Sequence, residues 1–149
     1  MRLLSFRSRG ELYATDVSCA AKFARNIPIT PVAAAPGFVV GIASIKGRVI
    51  TVLDLGALMG VGGGDAATPG SRVNAMVLSP SPDGDQTALR IDGPGNLHEV
   101  DDGAILPIPV SAGASERRYI KGVAEIGGLL YRIVDARAVI RRDRAPELE

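Results

Sequence analysis

The feature that most constrains the fold is an internal repeat, in which residues 38–59 resemble residues 119–140 at a constant offset of 81 positions. The two copies align without a gap and are identical at six positions: Gly41/Gly122, Ala43/Ala124, Ile45/Ile126, Gly47/Gly128, Asp54/Asp135 and Ala57/Ala138. A solenoid needs about three or more repeats, so two copies argue against that architecture. The repeat instead predicts two similar lobes packed as a pseudo-symmetric pair.

Each copy has the pattern of a β-hairpin followed by a short helix. In the first copy, apolar and β-branched residues dominate 40–53, and the Lys46-Gly47 pair in the middle is typical of a tight turn. In the second copy, Gly127-Gly128 occupies the corresponding turn. Glycine adopts the positive φ that such turns require at no steric cost, so both copies predict a hairpin.

An aspartate follows the second strand of each copy, at Asp54 and Asp135, directly before a helical pattern. An aspartate at this position accepts a hydrogen bond from a free N–H group of the first helical turn. An aspartic protease also takes one aspartate from each of two lobes, but it needs Thr or Ser and then Gly after each. Because Leu55 and Ala136 follow here, we interpret both aspartates as structural helix caps.

The rest of the chain consists of short apolar segments separated by turn signals. Strands are predicted at 1–6, 11–15, 72–78, 86–92 and 97–100, and a short helix at 17–25 after the capping residue Asp16. Proline marks two extended segments, 27–36 and 105–110. Turns and connectors are predicted at 60–71, 79–85, 93–95 and 111–118. The last residues, 141–149, are predicted to be a frayed tail. So many short strands predict a sandwich or small barrels, and the repeat favours two small barrels.

Composition and charge exclude several classes of function. The formal net charge is +1 with both signs interspersed, whereas nucleic-acid binding requires a basic face. Aromatic residues make up only 4% of the chain and Trp is absent, so base-stacking platforms are not expected. No apolar run approaches the roughly 20 residues of a membrane span, and no secretory signal is recognisable. We therefore expect a soluble cytoplasmic protein that does not insert into the membrane directly.

The chain contains one cysteine, Cys19, and one histidine, His98. A single cysteine forms no internal disulfide and is more often a small buried apolar side chain than a nucleophile. One cysteine and one histidine do not assemble a zinc site of the usual kind. A Ser-His-Asp triad would have to use His98, yet no serine lies in a G-x-S-x-G setting. The sequence thus predicts no catalytic residue, no metal and no cofactor.

Three segments together resemble the CheW family of chemotaxis adaptors: FRSRGELYATDV, ITPVAAAPGFVVGIASIKGRVITVLDL and YIKGVAEIGGLLYRIVDARAVI. The resemblance covers nearly the whole chain, and the order of the elements is the same. The first hairpin matches the family pattern at its glycines, at its apolar positions and at Asp54. It departs at Ser44, Lys46 and Thr51, where the family usually has Asn, Arg and Pro, and within residues 91–94, where the family usually has Val-Asp-x-Val.

The resemblance implies one CheW-like domain over residues 1–149, all-β with short helices, built from two SH3-like five-stranded β-barrels. The approximate lobes are expected at 1–70 and 71–149. It further implies a non-enzymatic adaptor without a cofactor, recruited to membrane-associated receptor arrays. Its implied partners are the cytoplasmic tip of a chemoreceptor (a methyl-accepting chemotaxis protein) and the regulatory domain of the histidine kinase CheA. The departures keep an alternative open, a divergent CheW-like interaction module in a pilus-motility or other chemosensory-like kinase system.

Matching the family motif position by position gives two candidate interaction surfaces. The receptor-binding surface would comprise Ile42, Ser44, Lys46, Gly47 and Val49. The kinase-binding surface would comprise Gly122, Val123, Ile126, Gly128 and Leu130. Structural roles stay open for several of these residues. The glycines also suit turns and close packing, Ile42 and Val49 also suit a core, and Lys46 also suits a solvated turn.

Overall fold

The structure is a computed structural model that describes residues 1–60, 67–78, 86–109 and 111–144, apart from the side chains of residues 21 and 142–144. These ranges contain ten β-strands, three α-helices and two 3-10 turns. The strands are β1 (Arg2–Ser8), β2 (Glu11–Asp16), β3 (Ala20–Pro28), β4 (Val39–Ile45), β5 (Arg48–Leu53), β6 (Arg72–Leu78), β7 (Thr87–Ile91), β8 (Gly93–Glu99), β9 (Ile120–Ile126) and β10 (Leu129–Val134). The α-helices are α1 (Leu55–Leu58), α2 (Ala114–Tyr119) and α3 (Ala136–Arg144), and the 3-10 turns are Val17–Cys19 and Asp102–Ala104.

The ten strands form two five-stranded sheets. The first lobe contains the sheet β8-β1-β2-β10-β9, and the second lobe contains the sheet β3-β6-β7-β5-β4. This arrangement confirms the predicted fold class, an all-β protein with short helices and two five-stranded units. The described part of the chain has no helix that is long and apolar enough to cross a membrane.

The repeat predicted from the sequence is also a repeat in three dimensions. Strands β9 and β10 begin and end at the same offset of 81 residues from β4 and β5. In each copy the first strand lies at a sheet edge, while the second pairs in parallel with an inner strand, β7 in one lobe and β2 in the other. The backbone N–H of Asp54 donates to the carbonyl of Phe38, and the N–H of Asp135 donates to that of Tyr119, both over 2.8 Å.

The lobe boundaries expected at 1–70 and 71–149 differ from those of the sheets. Strands β1 and β2 join the sheet that holds the second copy of the repeat, and β6 and β7 join the sheet that holds the first copy. The chain therefore passes between lobes twice, at the Val17–Cys19 turn and again between β7 and β8. The physical reason is that each repeat hairpin lacks inner neighbours of its own and takes them from a distant hairpin, β1–β2 or β6–β7.

The two proline-marked segments have equivalent positions beside the repeat hairpins. Thr30 and Ile42 exchange two backbone hydrogen bonds of 2.8 and 2.9 Å. Leu106 and Val123 exchange two of 2.8 Å. Each segment therefore adds one antiparallel bridge to the outer edge of β4 or β9. Proline limits such a segment to isolated pairing because it cannot donate to a ladder.

The helix predicted over residues 17–25 is wrong, because β3 occupies most of this stretch. Asp16 does act as a cap, but its carboxylate accepts from the backbone and hydroxyl groups of Ser18 in a 3-10 turn. These hydrogen bonds lower the pKa of Asp16. Strand β3 then pairs with β6 and is irregular between Ala20 and Lys22. A bulge of this kind interrupts the period of two, so the apolar residues recur at helix-like intervals.

The connectors differ from expectation in three places. The polar connector 111–118 contains most of α2, and the predicted break at 93–95 is the start of β8. Part of the predicted tail, up to Arg144, belongs to α3. The predicted turn at 79–85, residues 61–66 of the predicted loop at 60–71 and residues 145–149 lie outside the described residues.

The largest core cluster is shared between the two lobes. Phe6 and Tyr13 come from the first lobe and are 2% and 3% exposed, and they join Leu53, Met76 and Leu89 of the second lobe. Two smaller clusters lie within single lobes, one around Ile50 and Val77 and the other around Leu3 and Ile133. Because the main core belongs to both lobes, they are expected to fold as one unit.

Candidate protein-interaction surfaces

The outer face of the first repeat hairpin carries three of the five predicted receptor-side residues. In the β4–β5 register Ser44 is opposite Val49, and Ile42 is two residues further along on the same face. Ser44 is exposed, Ile42 is partly buried and the Val49 side chain is 66% exposed. The neighbouring residue Ile50 points into the core, as the alternation of a strand requires. An exposed apolar side chain on a rigid hairpin is suited to a protein partner.

The turn of this hairpin places Lys46 next to a second lysine. Lys46 and Gly47 form the two-residue loop, with φ angles of +52° and +80°. Positive φ at both positions is the backbone of a type I′ turn. The neighbouring Lys46 amine lowers the pKa of Lys22 on β3. None of the ion pairs formed by the described residues includes either lysine.

An apolar groove of about 220 Å³, which we call the interlobe groove, lies between the two lobes beside Lys22. Strands β1 and β8 of the first lobe and β3, β6 and β7 of the second contribute to its wall. Its lining residues are Leu4, Ser5, Phe6, Ala20, Lys22, Phe23, Met76, Ile91 and Pro94. Lys22 is the only charged member of this lining. The groove therefore offers an apolar concave surface with a cation at its edge.

The second repeat hairpin exposes fewer of its predicted residues. Gly122 and Val123 are buried against the segment that contains Leu106, and Ile126 is only partly accessible. Gly128 forms the turn, with φ +83°. Leu130 is 58% exposed, and Leu129 beside it, which the sequence did not single out, is 50% exposed. On this hairpin the accessible apolar surface is therefore the leucine pair next to the turn.

Asp54 anchors an ionic cluster that joins the two lobes. Its carboxylate is 1% exposed, and its Oδ2 accepts from Arg9 Nε at 2.8 Å and from Arg90 Nη2 at 2.6 Å. Its Oδ1 accepts from the N–H of Ala57 at 3.2 Å, which is the helix-capping geometry. Arg9 lies in the turn between β1 and β2 of the first lobe, whereas Arg90 lies on β7 of the second. One carboxylate thus pairs with two guanidinium groups and connects both lobes.

Asp92 adds a second tie at the same junction. Its two carboxylate oxygens accept from the backbone N–H groups of Arg9 and Gly10, at 3.1 and 2.9 Å. Its own N–H donates to the carbonyl of Arg7 over 2.7 Å. The residue that connects β7 to β8 therefore also fixes the β1–β2 turn, so the Arg9 side chain is held beside Asp54.

The two repeat aspartates have different surroundings, which bears on the protease alternative. Asp135 Oδ1 accepts from the N–H of Ala138 at 3.2 Å, in the same capping geometry as Asp54. Asp54 also binds two arginines, and no ion pair of the described residues involves Asp135. A protease dyad shares a proton between two equivalent carboxylates. Here each carboxylate has its own hydrogen-bond donors.

His98 contacts a serine that the sequence did not identify. His98 Nε2 lies 3.1 Å from Ser5 Oγ, and the hydroxyl also bonds to the backbone of Asn96. Ser5 is 4% exposed and lies at the irregular step of the β1–β8 pairing. These contacts give the Ser5 hydroxyl a structural role in the pairing of β1 with β8. The described residues contain no group of three or more Cys, His, Asp or Glu side chains that could hold a metal ion.

A protein-family model described as the CheW-like domain matches residues 2–144, almost the full length of the chain. The chain belongs to the CheW-like domain family. Among curated proteins, the chemotaxis protein CheW of Rhizobium meliloti (strain 1021) is 26% identical over 137 residues, covering 92% of this chain and 85% of that protein. The scaffolding protein TtCheW from Thermoanaerobacter tengcongensis has a similar crystal structure, with a TM-score of 0.73 and 21% identity over 90% of this chain and 88% of that one.

Membership of the CheW-like family leaves the individual contact residues to be argued from this structure. Four residues were missed by the sequence motifs: Arg9, Lys22, Arg90 and Leu129. Arg9 carried a detectable signal, since it precedes Gly10 in a turn between two strands. Arg90 carried none, because its partner Asp54 is distant in sequence and meets it only in the folded chain. Lys22 carried none either, since the groove that it lines is formed by strands from both lobes.

Proposed function

We propose that this protein is a non-enzymatic adaptor that couples chemoreceptors to the histidine kinase CheA in chemotaxis signalling. The observation that carries the proposal is the match of the CheW-like domain model to residues 2–144. The names of the similar proteins, a chemotaxis protein and a scaffolding protein, agree with it. The adaptor would work in the cytoplasm, at membrane-associated receptor arrays where receptor tips and kinase meet.

The structure supports an adaptor because the two repeat hairpins present separate apolar surfaces. Val49 on β5 and Leu130 on β10 occupy equivalent repeat positions, and both side chains are more than half exposed. A coupling protein needs two interfaces whose binding energies influence each other. The shared core and the Asp54 cluster provide a rigid connection between the lobes that carry them.

We assign the receptor tip to the first hairpin and the regulatory domain of CheA to the second. The receptor surface is formed by Ile42, Ser44, Lys46 and Val49, with Gly47 shaping the turn. The kinase surface is formed by Leu130, with Gly122, Val123, Ile126 and Gly128 shaping the hairpin behind it. Within each hairpin, contact residues are separated from shaping residues by their exposure, since a buried residue positions a neighbour and offers little contact surface itself.

The test is a pair of binding measurements on purified full-length protein. One ligand is a soluble chemoreceptor signalling-tip fragment, and the other is the CheA regulatory domain, both from the same genome. Val49→Glu should weaken receptor binding by about tenfold or more and leave kinase binding unchanged, because it places a charge in an apolar contact. Leu130→Glu should do the reverse. Both residues are exposed, so unfolding free energies should stay within about 0.5 kcal/mol of wild type.

The control is Val32→Glu, which changes another exposed valine outside both hairpins. It should leave both affinities unchanged. Failure of the wild-type protein to bind either ligand would remove the adaptor function. If both ligands bind but the effects of Val49→Glu and Leu130→Glu are exchanged, the adaptor stands and our assignment of the two surfaces is wrong.

The alternative, a module of a pilus-motility or other chemosensory-like kinase system, rests on the first hairpin. Ser44, Lys46 and Thr51 differ there from the residues that the family usually has. Lys46 in particular lacks the planar, bidentate donor geometry of arginine. The two systems are separated by measuring binding to the regulatory domain of every CheA-type kinase in the same genome. Selective binding to a kinase encoded with pilus proteins would favour the alternative.

A further inference from the structure

The inner face of the first lobe differs from that of the second lobe at three positions. When the two sheets are aligned through the repeat hairpins, their registers match three pairs of residues: Ser5 with Val77, His98 with Ala24, and Tyr131 with Ile50. The second-lobe members are apolar and between 1% and 7% exposed. In the first lobe, His98 Nε2 lies 3.1 Å from Ser5 Oγ, and the ring centroids of His98 and Tyr131 are 5.9 Å apart. Among the described residues, the first-lobe core cluster has four buried members and that of the second lobe has eight, so the apolar core of the first lobe is less complete.

A cavity of about 380 Å³, which we call the first-lobe cavity, lies on this inner face. Its wall includes Ser5 and Arg7 of β1, Leu12 of β2, Tyr131 of β10 and residues 93–96 of β8. The β1, β2 and β10 residues lie two or four positions from members of the first-lobe core cluster, so they share its face of the sheet. Ligand pockets have volumes of about 300–1,000 Å³ and are frequent at the mouths of β-barrels. The cavity therefore has the size and the place of a small-molecule site.

Two opposite charges line the first-lobe cavity without pairing with each other. Arg7 and Asp92 both belong to the lining, and the ion pairs formed by the described residues include neither of them. The Asp92 carboxylate accepts the backbone N–H groups of Arg9 and Gly10, which uses about two of the roughly four hydrogen bonds that a carboxylate can accept. Arg7 lies opposite Gly93 on β8, which has no side chain to cover it. A cation and an anion therefore face one cavity with bonding capacity left over.

The lining restricts the chemistry of a ligand that would fill the cavity. A guanidinium fork binds a carboxylate through two parallel hydrogen bonds, and the Asp92 carboxylate accepts from an ammonium group. A ligand with a carboxylate alone would place a second negative charge near Asp92, where like charges repel. The remaining wall includes the apolar residues Leu12 and Pro94 and the ring of Tyr131, which suit an aliphatic or aromatic group. An α-amino acid with an apolar side chain combines all three groups in one small molecule.

We propose that the first-lobe cavity binds a free α-amino acid with an apolar side chain. Arg7 binds its carboxylate, Asp92 binds its ammonium group, and Tyr131 packs against its side chain. The site lies apart from the hairpin surfaces assigned to the receptor and the kinase, so this inference does not rest on the adaptor function. Asp92 also fixes the turn that holds Arg9 beside Asp54, so a ligand on Asp92 would act on the junction between the lobes.

Binding is measured by titration calorimetry on the full-length protein, with L-phenylalanine and L-leucine as probes. Two analogues of L-phenylalanine test the two charges separately, since 3-phenylpropionate lacks the ammonium group and 2-phenylethylamine lacks the carboxylate. Each analogue should bind about tenfold more weakly or worse, because one charged group of the site stays without its partner. A ligand that binds only the folded protein stabilises it, so the better probe should also raise the melting temperature.

Two variants test the cavity itself, each with a matched control. Gly93→Leu should fill the cavity beside Arg7 without backbone strain, since a Cβ at Gly93 meets open space and its φ is not positive. Gly37→Leu is its control, because Gly37 also has open space and lies outside the cavity. Arg7→Gln removes the guanidinium, and Arg2→Gln makes the same charge change on the opposite face of β1. Gly93→Leu and Arg7→Gln should weaken binding by about tenfold or more, and the two controls should stay within about twofold of wild type.

Three outcomes would overturn the amino-acid site. One is that neither probe binds the wild-type protein. Another is that Gly93→Leu and Arg7→Gln bind as tightly as wild type, which would place the ligand elsewhere on the protein. The third is that 3-phenylpropionate binds as tightly as L-phenylalanine, which would leave no role for Asp92. Binding that needs both charged groups of the ligand and is lost in Gly93→Leu and Arg7→Gln, but kept in Gly37→Leu and Arg2→Gln, would support the site.

Discussion

At the scale of single residues, Asp54 and Asp135 show how equivalent positions take on unequal roles. Both cap a helix, but only Asp54 is almost completely buried and binds two arginines. Asp135→Ala should remove a cap alone and cost about 1 kcal/mol. Asp54→Ala also leaves Arg9 and Arg90 without their acceptor, and because both arginines keep partial access to water we expect a total of about 2–4 kcal/mol. Urea unfolding of the two variants tests this, and equal losses would contradict the cluster.

The first position of the hairpin turns allows a second comparison at this scale. Asn tolerates the left-handed backbone better than Arg or Lys. Lys46→Asn should therefore raise the free energy of unfolding by about 1 kcal/mol, through relief of the backbone strain at φ +52°. Arg9→Asn relieves the same strain but removes a donor to Asp54, so we expect a net loss of about 1 kcal/mol. The same substitution in equivalent turns should thus have opposite effects, which denaturant unfolding would show.

At the scale of elements, the repeat hairpins owe their position to two glycines that accept close backbone contacts. A Cβ at Gly41 would meet the carbonyl oxygen of Thr30 at 2.5 Å, and one at Gly122 would meet that of Leu106 at 2.8 Å. Either Gly→Ala substitution should cost about 1–3 kcal/mol, because backbone atoms cannot move aside. Gly37→Ala, with open space at the Cβ position, is the control and should change stability little. Thermal unfolding of the three variants decides the matter, and equal melting temperatures would argue against the close contacts.

The elements also show which parts of the fold were predictable from sequence. The β4–β5 and β9–β10 hairpins were, because glycine turns and apolar alternation are local signals. Strand β3 was not, because the irregular step between Ala20 and Lys22 hides its alternation. The pairing of β2 with β10 was not either, since parallel pairing of distant strands leaves no local pattern. The same reason applies to the surfaces. Val49 and Leu130 lie in a recognisable hairpin motif, whereas Arg90 reaches its partner Asp54 only in the folded chain.

At the scale of the whole molecule, the exchanged strands and the shared core predict that the lobes unfold together. The first lobe is made from both ends of the chain, and the main core contains side chains from both sheets. Separating the lobes would therefore expose Phe6, Tyr13 and Met76 to water together, and would also break the Asp54 cluster. Burial of large apolar side chains contributes about 1.5–3 kcal/mol each, so a state with one folded lobe should not be populated.

The distribution of tyrosines makes this prediction measurable without a label. The chain has no Trp and three Tyr, which lie in β2, α2 and β10 and in no strand of the second sheet. Tyrosine fluorescence therefore reports on the first lobe and on the core that it shares with the second, whereas far-UV circular dichroism reports on the strands of both lobes. In a urea titration the two curves should superimpose, and Asp54→Ala should move both to lower urea without separating them. A fluorescence transition that precedes or follows the dichroism transition would mean that the lobes are independent, and the rigid connection that an adaptor needs would then have to arise on binding.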